Sequence, residues 1–238
     1  MADPAFVLIP SPLVGPRSLA PLAEALGNAT VIAGQAPSQA AFWDAWASSV
    51  AAAVPATAAD IVLVPHSGAG PTAPLVAWRL IERGLSVSGI VYVDATLPGA
   101  YRSWLASYTD AAGELAAQAA RNGGFVPNPW RKPSRWLAAG VPPVLASDAA
   151  EEARDLPLAW YAEPYPGHDA GLPWAFLAFE PNPFYGPMRD EAEAHGRPTL
   201  RLAGGHFHGM VAPAVVAAAI RQLARALTPR DEGSGQPN

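Results

Sequence analysis

The ten residues Ile61-Val62-Leu63-Val64-Pro65-His66-Ser67-Gly68-Ala69-Gly70 constrain the fold of this chain more than any other stretch. An unbroken run of β-branched and aliphatic residues ends abruptly in a serine set among small residues, and helical spacing begins at once. This is a strand, a sharp turn and a helix, with the serine at the turn. Such a turn holds the serine in a strained backbone conformation and lifts its hydroxyl above the carboxyl edge of a parallel sheet. The flanking residues must be compact, because strand and helix backbones pass close together there. The usual pattern is G-x-S-x-G; here Pro65 and Ala69 occupy the two glycine positions, with Gly68 and Gly70 alongside. The motif gains its specificity from its seat between strand and helix. The alternative is a Ser/Gly turn that merely caps a helix.

The same alternation runs through the rest of the chain. The spacing predicts strands at 5–9, 29–32, 60–65 and 88–93, helices near 17–27 and 38–54, and a helix from Ser67 to Gly84, with Pro71 and Pro74 in its first turn. After a long interruption it predicts a strand near 174–179, a helix near 187–195, a strand at 199–203 and a last helix from about 213 to 227. Val216, Ile220, Leu223 and Leu227 fall on one face of that last helix. Strands alternating with helices imply an α/β fold, a mostly parallel sheet with helices on both faces, whose ligands bind beyond the carboxyl ends of the strands. Residues 98–172 differ: they hold Trp104, Trp130, Trp136 and Trp160 and many prolines but no clear strand, so they are expected to form a helical cap insertion. The expected organisation is a core of 1–97 and 173–228, the cap, and a flexible tail at 229–238.

Composition narrows the function classes. Half of the 238 residues are hydrophobic and 15% are charged, enough for one sizeable core. The net charge of -5 comes without long runs of one sign, so neither a nucleic-acid surface nor a polybasic membrane surface is expected. The absence of cysteine excludes disulfides, thiolate catalysis and Cys-ligated zinc. The N-terminus lacks a basic n-region, and no apolar run approaches the roughly 20 residues of a membrane span. A soluble cytoplasmic protein acting on a small molecule is the expectation, with no cofactor and no metal, since the five histidines show no metal-ligand spacing.

A serine nucleophile needs a base. His206 follows the strand at 199–203 through the Gly204-Gly205 turn and reaches the same sheet edge as Ser67, where a base could take the hydroxyl proton and return it to a leaving group. His208, two residues on, is the alternative base. His66 is expected to pack in the elbow and point away from the hydroxyl. Asp94 ends the strand at 88–93, also at that edge.

Four segments together resemble the α/β-hydrolase superfamily, and within it the small bacterial members and the plant-type esterase and hydroxynitrile-lyase branch. They are Phe6-Val7-Leu8-Ile9, Pro65-His66-Ser67-Gly68-Ala69, Val91-Tyr92-Val93-Asp94 and Gly204-Gly205-His206-Phe207. The resemblance implies a triad in the order Ser, acid, His, with the Gly68 N–H as one oxyanion donor. Two departures stand out. The common acid position follows the strand after the cap, which here ends Phe179-Glu180; the acid is therefore Asp94, used at this site by some superfamily members, or Glu180. The usual His-Gly oxyanion segment is replaced by Pro10-Ser11-Pro12-Leu13, and Pro12 has no N–H to donate. Either the Leu13 N–H or the Ser11 hydroxyl substitutes as the second donor, or oxyanion stabilisation is weaker than in a dedicated esterase.

The leading expectation is a serine hydrolase for an ester, lactone or thioester of a mainly apolar small molecule, through Ser67, His206 and Asp94. Trp104, Trp130, Trp136 and Trp160 are the candidate substrate-pocket residues; the alternative is that these rings only fasten the cap to the sheet. The altered oxyanion segment motivates a second expectation, a lyase, cyclase or C–C bond-forming enzyme of secondary metabolism on the same scaffold. Hydroxynitrile lyases of the fold use a cap lysine, and Lys132 is the one lysine present. A non-catalytic ligand receptor is the third class, and intact Ser67, Asp94 and His206 weigh against it. A serine in place of an aspartate also weighs against dehalogenase or epoxide-hydrolase chemistry.

Overall fold

The computed structural model describes residues 4–227 apart from 59, 109 and 110. Its centre is a six-stranded sheet of β1 (Ala5–Ile9), β2 (Ala29–Val31), β3 (Ile61–Pro65), β4 (Val87–Val93), β7 (Trp174–Glu180) and β8 (Thr199–Ala203). The spatial order is β2-β1-β3-β4-β7-β8 and every pair is parallel. The central strands read as unbroken apolar runs because both faces are covered and successive side chains enter opposite cores. Ile61 and Leu63 face one core with Trp43, Trp46 and Leu80. Val62 and Val64 face the other with Leu22, Val216, Ile220 and Leu223. Helices Phe42–Ala53, Ala73–Glu82 and Gly186–Ala194 cover the first face; Ala20–Leu26 and Pro213–Leu227 cover the second. Burying each of these large aliphatic side chains contributes about 1.5–3 kcal/mol.

The chain runs outward from β1 to β2, then returns across β1 to β3 and continues the other way. The reversal opens a crevice at the carboxyl ends of β1 and β3, where Ile9 pairs with Pro65. Ser11 follows the first of these strands and Ser67 the second, so the topology makes the two serine segments neighbours.

Several boundaries differ from the sequence expectation for local reasons. The helix expected from Ser67 onward begins as a 3-10 segment, Ser67–Thr72, and becomes α-helical at Ala73. Pro71 and Pro74 supply no N–H, which delays α-type pairing, and Gly84 at φ 79° ends the helix. The helix expected near 38–54 starts only at Phe42, after Ala41 in a left-handed conformation. Its first N–H groups, on Phe42 and Trp43, donate to the Glu163 carboxylate at 3.0 Å each. That carboxylate lies 120 residues or more away in the chain, so no local signal marks the start.

Between β4 and β7, a stretch expected to hold no strand, two short strands form an antiparallel pair: β5 (Phe125–Val126) and β6 (Leu156–Pro157). Short helices at Ala112–Arg121, Pro133–Ala138, Pro143–Glu152 and Leu158–Ala162 make up most of the remainder. The tail expected at 229–238 lies outside the described residues. No helix among the described residues is long and apolar enough to cross a membrane.

Candidate active site

Ser67 sits directly beyond β3 with φ 59°, a left-handed conformation that a non-glycine residue adopts at a cost of about 1–3 kcal/mol. Close packing holds it there. A Cβ added to Gly70 would stand 2.0 Å from the Thr96 carbonyl oxygen, so only glycine lets the elbow meet the segment after β4. A Cβ added to Gly68 would stand 2.9 Å from the Trp104 ring and 3.1 Å from the Ser11 hydroxyl oxygen. Thr96 N–H donates to the Ser67 carbonyl at 3.2 Å, which fastens the turn.

Asp94 directly follows β4, is fully buried, and also has a positive φ, 43°. Asp tolerates that region better than most residues. Its carboxylate accepts three hydrogen bonds: His206 Nδ1 at 2.7 Å and Asn182 Nδ2 at 2.6 Å on Oδ2, and Phe179 N–H at 3.3 Å on Oδ1. Burial of a carboxylate calls for such donors, and all three are supplied by neighbouring elements. Glu180 is turned elsewhere, to ion pairs with Arg189 and, at 3.6 Å, Arg201. His208 is separate too: its ring covers Gly204 and meets Phe179 edge-on at 5.6 Å.

The His206 ring is held between two others. His66 stacks on one side, with centroids 4.5 Å apart, and Tyr185 on the other at 5.0 Å and 10° between planes. With Nδ1–H given to Asp94, neutral His206 keeps its Nε2 lone pair free. The Ser67 hydroxyl hydrogen-bonds the Tyr185 hydroxyl at 3.0 Å and, in this conformation, makes no hydrogen bond to the His206 ring. Burial above all, and then the Asp94 charge, push the Tyr185 phenol well above its ordinary pKa, so it stays a neutral donor or acceptor at neutral pH. Tyr185 and Asn182 both lie on the turn after β7. Sequence reasoning missed them, since nothing in their spacing marks them as partners of residues 88 or more positions away.

His66 is 2% exposed and donates Nε2–H to the His206 carbonyl at 2.9 Å. Burial, and next the proximity of His206, pull its pKa down to about 3. Folded His66 is therefore neutral, whereas in the unfolded chain it takes up a proton below about pH 6.5. Stability is full above that value and falls as pH drops from 6.5 toward 3. Urea unfolding at pH 7 and pH 5 is expected to show about 2 kcal/mol less stability at pH 5 from this group. His66→Gln should abolish that increment, and an unchanged pH slope in the variant would contradict the assignment.

The segment after β1 is tied down from both sides. Leu13 N–H donates to Ser11 Oγ at 3.4 Å, and Val14 N–H to the Ser11 carbonyl at 3.0 Å. The Leu13 carbonyl accepts from Asn128 Nδ2 at 2.7 Å and from Arg154 N–H at 3.2 Å. The Leu13 N–H is thus spent within its own turn. Ser11 Oγ lies beside Gly68, and its proton has no acceptor among the described residues.

Of the four candidate pocket tryptophans, Trp104 lies against Gly68 and stacks on Tyr161 at 4.8 Å. Trp160 is fully buried between Phe42 and Trp43, at 5.7 and 5.5 Å. Trp130 and Trp136 pack instead on Phe207, at 4.7 and 4.5 Å, and fasten the 98–172 segment beside His206. Lys132 is exposed. Among the described residues no group of His, Asp and Glu is arranged to hold a metal ion.

No protein-family model matches the chain, and no curated protein matches it. Solved structures do. An extracellular α/β-hydrolase from a Paenibacillus species, described as sharing structural and functional homology with tobacco salicylic acid binding protein 2, superposes with a TM-score of 0.72 at 17% identity. The match covers 92% of this chain and 98% of that one. Tomato methylketone synthase I, solved with 2-tridecanone, gives 0.68 at 17% identity over 96% of this chain and all of the other. A methylesterase from Arabidopsis gives 0.60 at 15% identity over 93% and 98%. From the elbow, the parallel sheet and these superpositions, the chain has the α/β-hydrolase fold.

Proposed function

We propose that the protein is a serine hydrolase that cleaves an ester, lactone or thioester of a mainly apolar small molecule. The observation that carries the reading is the 2.7 Å hydrogen bond from His206 Nδ1 to fully buried Asp94, at the edge where the strained elbow presents Ser67. Ser67 is the nucleophile, His206 the base, and Asp94 the group that orients the imidazole and stabilises its protonated form without taking the proton. On substrate binding the Ser67 hydroxyl turns from Tyr185 to His206 Nε2 and attacks the acyl carbon. His206 then returns the proton to the departing alcohol or thiol, and water repeats the sequence on the acyl-enzyme.

The Gly68 N–H stands at a helix start, where backbone donors are unspent. With Pro12 lacking an N–H and the Leu13 N–H committed, the Ser11 hydroxyl is the second oxyanion donor. Ser11→Ala is expected to lower kcat about a hundredfold or more with little change in KM, and Ser11→Thr to keep most of it. Steady-state kinetics on an activated aryl ester check this; an unaffected kcat would remove Ser11 from the oxyanion site.

The segment 98–172 acts as a cap that shapes the substrate site through Trp104. Trp104 continues an aromatic packing through Trp43 to Trp160 and Tyr165, where buried Trp43 Nε1, Trp160 Nε1 and Tyr165 Oη have no hydrogen-bond partner among the described residues. The reading is tested with a panel of aryl and alkyl esters, lactones and thioesters. Turnover of at least one class, lost in Ser67→Ala, supports it; rapid stoichiometric labelling of Ser67 without turnover of any would favour the lyase or cyclase reading.

A further inference from the structure

Between β4 and β7 the chain makes the long 98–173 excursion rather than a helix laid directly on the sheet. The face of β4 between helices Ala73–Glu82 and Gly186–Ala194 is covered by the loop at 166–172 instead, and a cavity of about 400 Å³ remains beneath it. That volume is within the range of small-molecule sites. Its apolar wall includes Ile90, Tyr92 and Trp174, and its polar wall His168, Asp169 and Glu191. Ser67, Asp94 and His206 do not line it.

Tyr92 gives the cavity its chemical character. The residue is 2% exposed and its ring meets Trp174 edge-on at 5.7 Å, yet its hydroxyl has no hydrogen-bond partner among the described residues. The oxygen is not itself fully enclosed; it opens on the cavity, where a bound group could meet it. Burial, and next the Asp169 charge, raise the Tyr92 pKa, so the hydroxyl is neutral and the Asp169 carboxylate is within electrostatic reach of it. Asp169 Oδ1 accepts the Gly171 N–H at 2.9 Å, which leaves Oδ2 free. Neither Asp169 nor Glu191 has an ion-pair partner among the described residues, whereas Glu180 and Glu193 nearby in the chain are paired with arginines. The nearby guanidinium of Arg197 lies over the Trp174 ring, 4.9 Å from its centroid.

We propose that this cavity is a second small-molecule site, separate from the Ser67 centre, whose ligand is an organic cation: a protonated amine on a flat aromatic or alicyclic body. Two unpaired carboxylates repel an anion and attract a cation. The Tyr92 hydroxyl accepts an N–H that reaches the wall, and the Tyr92 ring adds cation–π attraction, while Trp174, which already carries the Arg197 guanidinium, adds apolar contact for the body. The inference rests on none of the Ser67 chemistry.

Titration calorimetry with phenethylammonium chloride tests it, with 3-phenylpropionate as the anion of like shape. Saturable binding of the ammonium ion is expected with a Kd below about 1 mM, and none of the carboxylate. Tyr92→Phe and Asp169→Asn are each expected to weaken binding about tenfold, because each removes a hydrogen-bonding or charged partner, while Ser67→Ala leaves the Kd within about twofold. Near-UV circular dichroism identifies a variant that has not folded; exposed Asp169 and the Glu191→Gln variant then carry the test. Absent binding, equal binding of the anion, or loss of binding in Ser67→Ala with the cavity variants unaffected would each overturn the proposal.

Discussion

Ser67→Ala is expected to reduce turnover about 10⁶-fold, to the level left by binding and oxyanion stabilisation alone, while the protein remains folded. The hydroxyl makes a single hydrogen bond, to Tyr185 Oη, so its removal costs about 1 kcal/mol. Alanine inherits the φ of 59°, and its Cβ occupies the place the serine Cβ held, so packing is preserved. His206→Ala is expected to be as damaging, and Ser67→Ala/His206→Ala little worse than either alone, because the two act as one unit. His208→Ala is expected to keep most activity, its ring being engaged with Gly204 and Phe179 instead. Activity within tenfold of wild type in Ser67→Ala would remove the nucleophile, and the opposite ranking of the two histidines would move the base role.

Asp94→Asn is the second large effect, about 10³- to 10⁴-fold in kcat. All three partners of this carboxylate donate to it: His206 Nδ1, Asn182 Nδ2 and Phe179 N–H. An asparagine of the same shape must set its NH₂ against one of these donors. If the amide faces His206, the imidazole turns its lone pair inward, and Nε2 carries the proton on the side where a base needs it empty. If the amide faces Phe179, a buried N–H goes unpaired at a cost of about 1–3 kcal/mol. A loss of stability therefore accompanies the loss of rate, which denaturant unfolding and kcat measure separately. Glu180→Gln, by contrast, disturbs only the Arg189 and Arg201 pairs, and its kcat is expected to stay within about twofold. Equal losses in the two variants would put Glu180 back in contention.

The residues most legible in the sequence were those whose role is written in their neighbours. Ser67 announces itself because β3 is buried on both faces and the elbow needs Gly68 and Gly70. Asp94 directly follows one strand and His206 follows another through the Gly204-Gly205 turn, and parallel strands bring their ends to one edge. Asp94 is preferred to Glu180 because its strand follows the nucleophile helix directly and ends at the same sheet edge; in the structure Asp94 is buried and Glu180 is ion-paired. What was not legible depends on contacts made across the chain. Tyr185 reaches Ser67 over 118 positions, Asn128 holds the Leu13 carbonyl over 115, and Glu163 caps Phe42 over 121. Local spacing carries no trace of such pairs. The tryptophans were ambiguous for a related reason. An aromatic-rich segment serves packing and recognition equally well by composition, and the structure divides them: Trp104 at Gly68, Trp130 and Trp136 on Phe207.

The most direct test of the hydrolase assignment is the site and stoichiometry of covalent labelling by a fluorophosphonate, read by peptide mass spectrometry. Asp94–His206 polarisation of an elbow serine predicts one equivalent bound per chain, located on Ser67, absent in Ser67→Ala and slowed at least a hundredfold in Asp94→Asn. Failure of the folded wild-type protein to react, or modification at the Tyr185 hydroxyl with Ser67 untouched, would contradict it.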